Sequence, residues 1–270
     1  MGDQRRADVL TPTLAARYAA TFDREARATG PQGIHWCLNT PEAATATLGP
    51  DGHPLRAEHA DLPRRMWASS EAAFHRPLAV GAVVERVSRI VETEEKAGKS
   101  GRLLFVTVAH DVHADGALAI EERQHIVYRE PSQPDAPAPA PRLMPAAEWS
   151  WERTVLPSPA LLFRYSALTF NSHRIHYDLP YARAEEGYPG LVVHGPLMAS
   201  LLLDLVDREL GPDALARFAF RAASPAFAGA PIRLLGRREG SDVHLAIVDE
   251  AGGSIMTAQG RIASSRDAGR

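Results

Sequence analysis

One short segment of the chain, LTFNSHRIHYD at residues 168–178, combines histidine and amide side chains with few apolar residues. A histidine near its ordinary pKa is a natural general base or acid at neutral pH, and an amide can hold a water molecule with one donor and one acceptor. His176 and Asn171 therefore predict a site that activates one water molecule and directs it at an electrophile. The spacing alone also fits an ordinary hydrogen-bonded histidine.

A second motif, VVHGPLMA at residues 192–199, predicts a binding site for an oxygen that develops negative charge. Gly195 begins a helix there, and the first N–H groups of a helix have no partner within it. Because glycine has no side chain, a carbonyl oxygen can approach the Gly195 N–H closely, as in an oxyanion hole. A plain helix start is the alternative. His194 is expected to line the site, with a packed histidine as its alternative.

Capping residues predict the helices that position these motifs. Thr11-Pro12 is an N-cap followed by proline at the first helical position, and this helix is expected to end at Gly30-Pro31. Ser158-Pro159 repeats the pattern in the second half. A third helix, GPLMASLLLDLVDRELGP, begins at Gly195 and ends at Gly211-Pro212. Since it is apolar on nearly every face, it is expected to be buried on all sides.

The two halves of the chain repeat one pattern of strands and turns. In the first half PLAVG at 77–81 precedes three strand-like segments, AVVERVSRIVE, RLLFVTVAHDV and ALAIEERQHIVY. In the second half PAFAG at 225–229 precedes APIRLLGRRE, DVHLAIVD and SIMTAQGRI. Turns at Asp115-Gly116 and Gly252-Gly253 separate the last two strands of each set. The repetition predicts a duplicated α+β unit, in which each half is an antiparallel sheet wrapped around a central helix.

A segment rich in proline and alanine, EPSQPDAPAPAPRLMPAAEW at 130–149, separates the halves. Proline fixes φ and withholds a hydrogen-bond donor, so this segment is expected to be extended and poorly paired. We therefore predict an N-terminal domain at 1–130, a linker at 131–149 and a C-terminal domain at 150–270 that carries both motifs.

Composition argues against several classes of function. The formal net charge of the 270-residue chain is −3 without a basic cluster, which argues against nucleic acid as a partner. No apolar run approaches the roughly 20 residues of a membrane span, and the N-terminus lacks the pattern of a signal peptide. The single cysteine, Cys37, forbids an internal disulfide and fits a reducing compartment. A cytoplasmic protein without a membrane partner is expected.

The run RYSALTFNSHRIHYDLPYARAEEGYPGLVVHGPLMASLL, which contains both motifs, resembles the MaoC-type (R)-specific enoyl-thioester hydratases and dehydratases of the hot-dog fold. On that signature the family's aspartate falls at Asn171, its histidine at His176 and its oxyanion glycine at Gly195. Phe170 replaces a family glycine, and His173-Arg174 replaces an asparagine-proline pair. These departures are typical of a subgroup that includes mitochondrial-type 3-hydroxyacyl-thioester dehydratases and bacterial mesaconyl-C4-CoA and itaconyl-CoA hydratases. RMWASSEAAFHRPLAVG, SGRLLFVTVAHDV and EERQHIVYRE resemble the same subgroup.

The resemblance implies a tandem, or double, hot-dog fold. Its N-terminal unit has lost the chemistry and shapes the acyl and coenzyme A pocket, while its C-terminal unit is catalytic. It implies a hydro-lyase that adds water reversibly to the 2,3-double bond of an enoyl-CoA. His176 is then the only obvious titrating catalyst, because Asn171 replaces the carboxylate. The acyl-CoA is the expected partner, a homodimer is a possible assembly, and no metal or organic cofactor is required.

The acyl group is expected to be a short branched dicarboxylic one, such as mesaconyl or itaconyl. Arg164 and Arg174 flank the loop, and a guanidinium matches a carboxylate in bidentate fashion. Phosphates of coenzyme A and backbone carbonyls are the alternative ligands of these arginines. The other residues that the site is expected to use are the substrate-binding Tyr165 and His194 and the supporting Tyr177 and Asp178.

The sequence leaves other functions open. The same fold would serve a dehydratase of unsubstituted 3-hydroxyacyl thioesters, a thioesterase that aims water at the thioester, or a non-catalytic acyl-CoA-binding protein. A thioesterase is disfavoured because Asn171 stands where a carboxylate is wanted, and a binder has no need of His176. Zinc held by His173, His176 and His194 is disfavoured because no cysteine pair or nearby carboxylate completes the set.

Overall fold

The computed structural model describes residues 3–54, 62, 64–98, 101–130, 142–145 and 147–263. Within these residues the strands are β1 (Gln4–Val9), β2 (Thr29–Gly30), β3 (Arg64–Phe74), β4 (Leu78–Ala79), β5 (Val83–Gly98), β6 (Gly101–Ala114), β7 (Ala117–Arg129), β8 (Trp151–Val155), β9 (Leu215–Ala222), β10 (Ile232–Glu239), β11 (Asp242–Val248) and β12 (Ser254–Ile262). The α-helices are α1 (Pro12–Thr21), α2 (Pro159–Thr169), α3 (Leu179–Ala184) and α4 (Gly195–Leu210). Short 3-10 turns occur at Ile34–Cys37, Thr45–Thr47 and Arg174–His176. None of these helices combines the length and the apolar character that crossing a membrane requires.

One antiparallel sheet joins both halves, in the strand order β1-β5-β6-β7-β3-β9-β12-β11-β10-β8. Read from its outer edge to its centre, the first half runs β1-β5-β6-β7-β3 and the second runs β8-β10-β11-β12-β9. The two orders are equivalent, so the duplication predicted from the strand pattern is present in the topology. The halves meet where β3 pairs with β9, from Ser69 opposite Arg221 to Ala73 opposite Arg217.

The C-terminal half has the central helix that its sequence predicts. Helix α4 begins at Gly195 and ends before Gly211, whose φ of 89° lies in the left-handed region that glycine tolerates. It contacts β8, β10, β11 and β12. Nearly its whole apolar surface is buried, including Leu197, Met198, Leu201, Leu202, Leu203, Leu205 and Val206. Only Arg208 and Glu209, near the end of the helix, are exposed. The burial of the earlier turns holds the N–H groups at the start of the helix in a fixed position.

The N-terminal half differs from the expected arrangement. Its only α-helix among the described residues is α1, and residues 55–61 and 63 lie outside that description. The inner face of its sheet carries the buried carboxylate of Glu122, to which Trp36 and Ser70 donate hydrogen bonds. A helix with apolar faces has no such donors, so the 3-10 turn at Ile34–Cys37 occupies this place instead. Among the described residues of the N-terminal half, no α-helix equivalent to α4 is present.

Helix α1 is shorter than its sequence pattern predicts. Thr11 caps it by accepting a hydrogen bond from the Leu14 N–H, as expected, but the helix ends at Thr21 rather than near Gly30. Asp23 adopts a left-handed conformation with φ of 54°, which breaks the helix. The chain then turns so that Arg24 and Arg27 form ion pairs with Asp207 of α4, and these tertiary contacts override the local helical tendency.

Most of the proline-rich linker, residues 131–141 and 146, lies outside the described residues. Its described part lies alongside the β11–β12 turn. There the Met144 N–H donates to the Gly252 carbonyl, and the Ser254 N–H donates to the Arg142 carbonyl. The sequence pattern also missed β1, β2, β3, β4, β8 and β9. The domain boundaries remain predictions.

Candidate active site

His176 lies at the end of the 3-10 turn that follows α2, within the segment 171–178, which we call the catalytic loop. The side chain is buried, with 7% of its surface exposed. Its Nδ1 lies 2.7 Å from the Val192 carbonyl oxygen, an acceptor, so Nδ1 carries the proton and Nε2 keeps its lone pair. Burial lowers the pKa of His176 to about 4, although the bond to Val192 opposes this. The imidazole is therefore a neutral base at pH 7.

His194 forms a platform beneath His176. The two rings stack with centroids 3.6 Å apart and an angle of 19° between their planes. His194 Nε2 lies 2.8 Å from the Ser166 hydroxyl, which fixes the ring from its other edge. Burial, followed by the neighbouring His176 and His173, lowers the pKa of His194 well below its ordinary value. His194 is thus neutral and packed, and it orients the His176 imidazole.

Gly195 is the first residue of α4, and the helix start is open for a ligand. The N-cap residue, His194, makes no side-chain cap, and Pro196 has no N–H. In the part of the chain that the structure describes, no acceptor binds the Gly195 N–H. A methyl group on this glycine would meet only the Trp67 carbonyl oxygen, at 3.8 Å. The protein itself therefore leaves room beside the N–H, as an oxyanion hole requires.

Asn171 begins the catalytic loop and is joined to the same cluster. Its backbone N–H donates to the Ser166 carbonyl, and its Oδ1 accepts a hydrogen bond from the His173 N–H at 3.0 Å. The amide nitrogen remains as a donor for a water molecule. Phe170 turns the chain into the loop with φ of 49° and ψ of 38°, a conformation that costs a non-glycine residue roughly 1–2 kcal/mol. This explains why glycine suits the corresponding position in the family signature.

The two arginines expected to bind a substrate carboxylate donate hydrogen bonds to other groups of the protein. Arg164 lies on the exposed side of α2 and donates to the Ala20 carbonyl at 3.4 Å. Arg174 donates to Asp178 Oδ2 from Nε and from a terminal nitrogen, at 3.0 and 2.7 Å. It also donates to the Pro50 carbonyl and lies over the Tyr181 ring. Both arginines are held by the protein, so the expectation that either is a carboxylate clamp is not supported.

The remaining residues predicted at the site are Tyr165, Asp178 and Tyr177. Tyr165 has no exposed surface and packs against His194, so a direct contact with substrate would require the site to rearrange. Burial raises the pKa of its hydroxyl well above the ordinary value. Asp178 caps α3 through the Tyr181 N–H and binds Arg174, so it holds the loop and not the histidine. Tyr177 is half exposed.

Residues of the N-terminal half that the sequence did not single out also meet the catalytic loop. The Asp51 carbonyl accepts a hydrogen bond from the Arg174 N–H, and the His53 ring lies 4.3 Å from the His173 ring. Asp51, His53 and His173 each offer one atom that could bind a metal, and these atoms lie within 4.8 Å of one another. This group differs from the three histidines that the sequence suggested as zinc ligands. The GPDG sequence at residues 49–52 predicts a turn. No local pattern reveals that the Gly52 carbonyl accepts a hydrogen bond from Ser172, 120 residues further along the chain.

Known proteins of one enzyme family are similar to this chain. The family model described as hydroxyacyl-thioester dehydratase type 2 matches residues 33–228. The chain is 46% identical over 227 residues to mesaconyl-C(4)-CoA hydratase of Chloroflexus aurantiacus, covering 83% of this chain and 80% of that protein. It is 29% identical over 262 residues to the mitochondrial hydroxyacyl-thioester dehydratase type 2 of Schizosaccharomyces pombe, covering 86% of each. The crystal structure of HtdX from Mycobacterium tuberculosis superposes with a TM-score of 0.72 at 21% identity, covering 97% of this chain and 99% of that one.

The structural likeness supports the fold, and the sequence matches support the family. The family match spans well over half of the chain and includes both motifs. The predicted resemblance, the hot-dog architecture and the enzyme class are therefore confirmed. The chain belongs to the hydroxyacyl-thioester dehydratase type 2 family and is a MaoC-like hydro-lyase.

Proposed function

We propose that the protein hydrates the 2,3-double bond of an enoyl-CoA, with a short branched dicarboxylic acyl group such as mesaconyl as its preferred substrate. The observation that carries the proposal is the neutral, tautomer-fixed imidazole of His176 beside the open start of α4. A base and an oxyanion donor in one buried site are what addition of water to a conjugated thioester needs. The relative that is 46% identical is named for the mesaconyl reaction.

In the proposed mechanism the thioester oxygen accepts a hydrogen bond from the Gly195 N–H, which polarises the double bond. Nε2 of His176 removes a proton from water as the hydroxyl adds to C3, while the Asn171 amide orients that water. The enolate then takes the same proton at C2 from the His176 imidazolium, so the atoms of one water are added in full. A positioned base contributes about 10²–10⁴-fold and one oxyanion donor about 10²–10³-fold. No metal or organic cofactor enters these steps.

A dicarboxylic substrate needs a cation near the site, and Arg65 is our candidate. Arg65 and Trp67 lie two residues apart on β3, so their side chains share one face of the sheet. The Trp67 carbonyl is the group nearest to a methyl placed on Gly195. Burial, the charges of His53 and His176, and the positive charge of Arg65 lower the pKa of His173 to about 2, which fits an Arg65 close to the catalytic loop.

Substrate preference can be measured with mesaconyl-C4-CoA, itaconyl-CoA and crotonyl-CoA, followed by enoyl absorbance, product mass and free thiol. We expect water addition without thiol release, slowed about 10²–10⁴-fold in His176→Ala because the base is lost. Arg65→Gln should impair the dicarboxylic substrates and spare crotonyl-CoA. Melting temperatures of the parent protein and both variants, measured on the same samples, separate a loss of chemistry from a loss of folded protein.

Other outcomes would redirect the proposal. Thiol release would indicate a thioesterase, and binding without turnover would indicate an acyl-CoA-binding protein. Hydration of crotonyl-CoA alone would keep the hydratase and remove the dicarboxylic preference. A His176→Ala variant as active as the parent would contradict the proposed base.

A further inference from the structure

The turn from Leu48 to Pro54, in the N-terminal half, is compact and held by its own hydrogen bonds. Leu48 and Pro54 pair across its base. The Gly49 N–H donates to the His53 carbonyl at 2.6 Å, and the Gly52 N–H donates to the Gly49 carbonyl at 2.9 Å. The turn is thus ordered by itself and can present other carbonyl groups to a neighbour.

Three consecutive carbonyls of this turn accept hydrogen bonds from the catalytic loop. The Pro50 carbonyl accepts from the Arg174 guanidinium at 2.9 Å, and the Asp51 carbonyl accepts from the Arg174 N–H at 2.8 Å. The Gly52 carbonyl accepts from the Ser172 hydroxyl at 2.6 Å. The contact therefore combines a backbone donor with two side-chain donors, and it joins residues of opposite halves.

Gly52 is the point of closest approach. A Cβ atom at this position would lie 2.0 Å from the Ser172 carbonyl oxygen, a distance that no side chain tolerates. Its φ of 85° is also in the left-handed region. A residue with a side chain at position 52 would force the turn and the loop apart. Its Cβ atom is fixed to the backbone of the turn, and the Ser172 carbonyl oxygen belongs to the backbone of the loop.

The bonded residues are the immediate neighbours of the proposed catalytic ones. Ser172 follows Asn171, and Arg174 begins the 3-10 turn that ends at His176. Between them the His173 carbonyl accepts a hydrogen bond from the His176 N–H at 3.2 Å. A shift of the loop at Ser172 and Arg174 would therefore move both the water-orienting amide and the base.

We infer that the Leu48–Pro54 turn of the N-terminal half positions the catalytic loop, with Gly52 as the positioning residue that allows the contact. The inference rests on the proposed function of the loop. It assigns the N-terminal half a direct part in the geometry of the reaction, separate from shaping a pocket for the acyl group.

The test compares Gly52→Ala with Gly116→Ala. Gly116, in the β6–β7 turn, has a similar φ of 81° but nothing within 4 Å of an added Cβ. Both variants carry the cost of a left-handed alanine, and only Gly52→Ala collides with the loop. We expect Gly52→Ala to lower kcat by about ten- to a hundredfold with little change in KM, because small misplacements of catalytic groups have effects of this size. Gly116→Ala should match the parent.

A second readout does not depend on turnover. In Gly52→Ala we expect the pKa of His176, followed by NMR of the imidazole, to rise from about 4 towards its ordinary value as water enters the loosened loop. Ser172→Ala removes one hydrogen bond without a collision and should lower kcat several-fold, which provides a test if Gly52→Ala does not fold.

Two results separate the possible failures. If the parent hydrates no acyl-CoA, the proposed function fails, and the NMR comparison still decides the positioning role. If the parent is active and Gly52→Ala equals Gly116→Ala in kcat and in the titration of His176, the inference is wrong. Ser172→Ala with the kcat of the parent would overturn it in the same way.

Discussion

At the scale of residues, the site depends on how one imidazole is held. The Val192 carbonyl selects the tautomer of His176, and the stacked His194 ring, itself bound to Ser166, fixes its plane. Burial keeps the ring neutral, so the base form is present without help from a carboxylate. In the proposed mechanism Asn171 can therefore replace the family's aspartate, because the amide has only to orient water and not to transfer its proton.

The low pKa of His176 makes a prediction for the pH dependence of kcat/KM. The reaction needs the neutral imidazole, so the rate should be constant above about pH 5 and should fall as the pH drops through about 4. Below that value the decrease approaches tenfold per pH unit, because each unit removes nine-tenths of the base. Enzyme returned to pH 7 and assayed again separates protonation from unfolding. An acidic limb centred near 6.5 would contradict a buried, neutral base.

At the scale of elements, α4 is a rigid support for the proposed oxyanion donor, the Gly195 N–H. Its apolar surface is buried along its length, and ion pairs fix its C-terminal half. Asp204 and Asp207 bind four arginines: Arg24 and Arg27 from the segment after α1, Arg153 from β8, and Arg208 from α4 itself. Since the helix cannot shift easily, its first N–H is held in place before substrate arrives, as electrostatic catalysis requires.

The start of α4 gives a prediction for Gly195→Ala. The nearest protein atom to the added methyl is 3.8 Å away, an ordinary contact, so the variant should fold with a melting temperature close to that of the parent. A substrate carbonyl that binds this N–H would meet the methyl group, and we expect kcat/KM to fall by about 10²–10³-fold. Steady-state kinetics with thermal unfolding on the same samples checks both parts. Unchanged kinetics would remove Gly195 from the mechanism.

At the scale of the whole molecule, the N-terminal half carries a second buried polar cluster. Glu122 accepts hydrogen bonds from Trp36, Ser70 and Gln124, and His35 Nε2 lies 3.5 Å from it. Burial alone would raise the pKa of Glu122, but His35, then His110 and the Ser70 hydroxyl, lower it from 4.5 to about 2. The charged form thus stabilises the fold above pH 4.5, and this contribution is lost as the pH falls from 4.5 towards 2.

Glu122→Gln tests this contribution to stability. The difference between 4.5 and 2 corresponds to about 3 kcal/mol, so the variant should be less stable than the parent by about that amount at pH 7. The gap should narrow as the pH is lowered from 5 towards 3, because the parent carboxylate then takes up a proton. Urea unfolding of both proteins across this range measures it. A gap that does not change with pH would mean that the charge of Glu122 is not what stabilises the cluster.

Protonation of the buried histidines also destabilises the fold in acid, and this loss of stability begins at a higher pH than that of Glu122. His173 and His176 have folded-state pKa values of about 2 and about 4, below the ordinary 6.5. The unfolded chain therefore binds more protons below pH 6.5, and the folded state loses stability as the pH falls from 6.5 towards these values. These contributions are common to the parent and to Glu122→Gln, so they cancel in that comparison.

The sequence by itself determined what depends on neighbouring residues. The caps at Thr11 and Ser158, the apolar faces of α4 and the repeated strand pattern are local, and they predicted the helix starts, the central helix and the duplication. Asn171, His176 and Gly195 were predicted from residue type and from the family resemblance, and their catalytic roles remain proposals. Only the tertiary structure decided which arginines are occupied, since Arg174 meets the Pro50 carbonyl from the other half of the chain and Arg164 meets α1. It also decided the junction of β3 with β9 and the contact at Gly52, because hydrogen bonds between segments far apart in sequence leave no periodicity in either one.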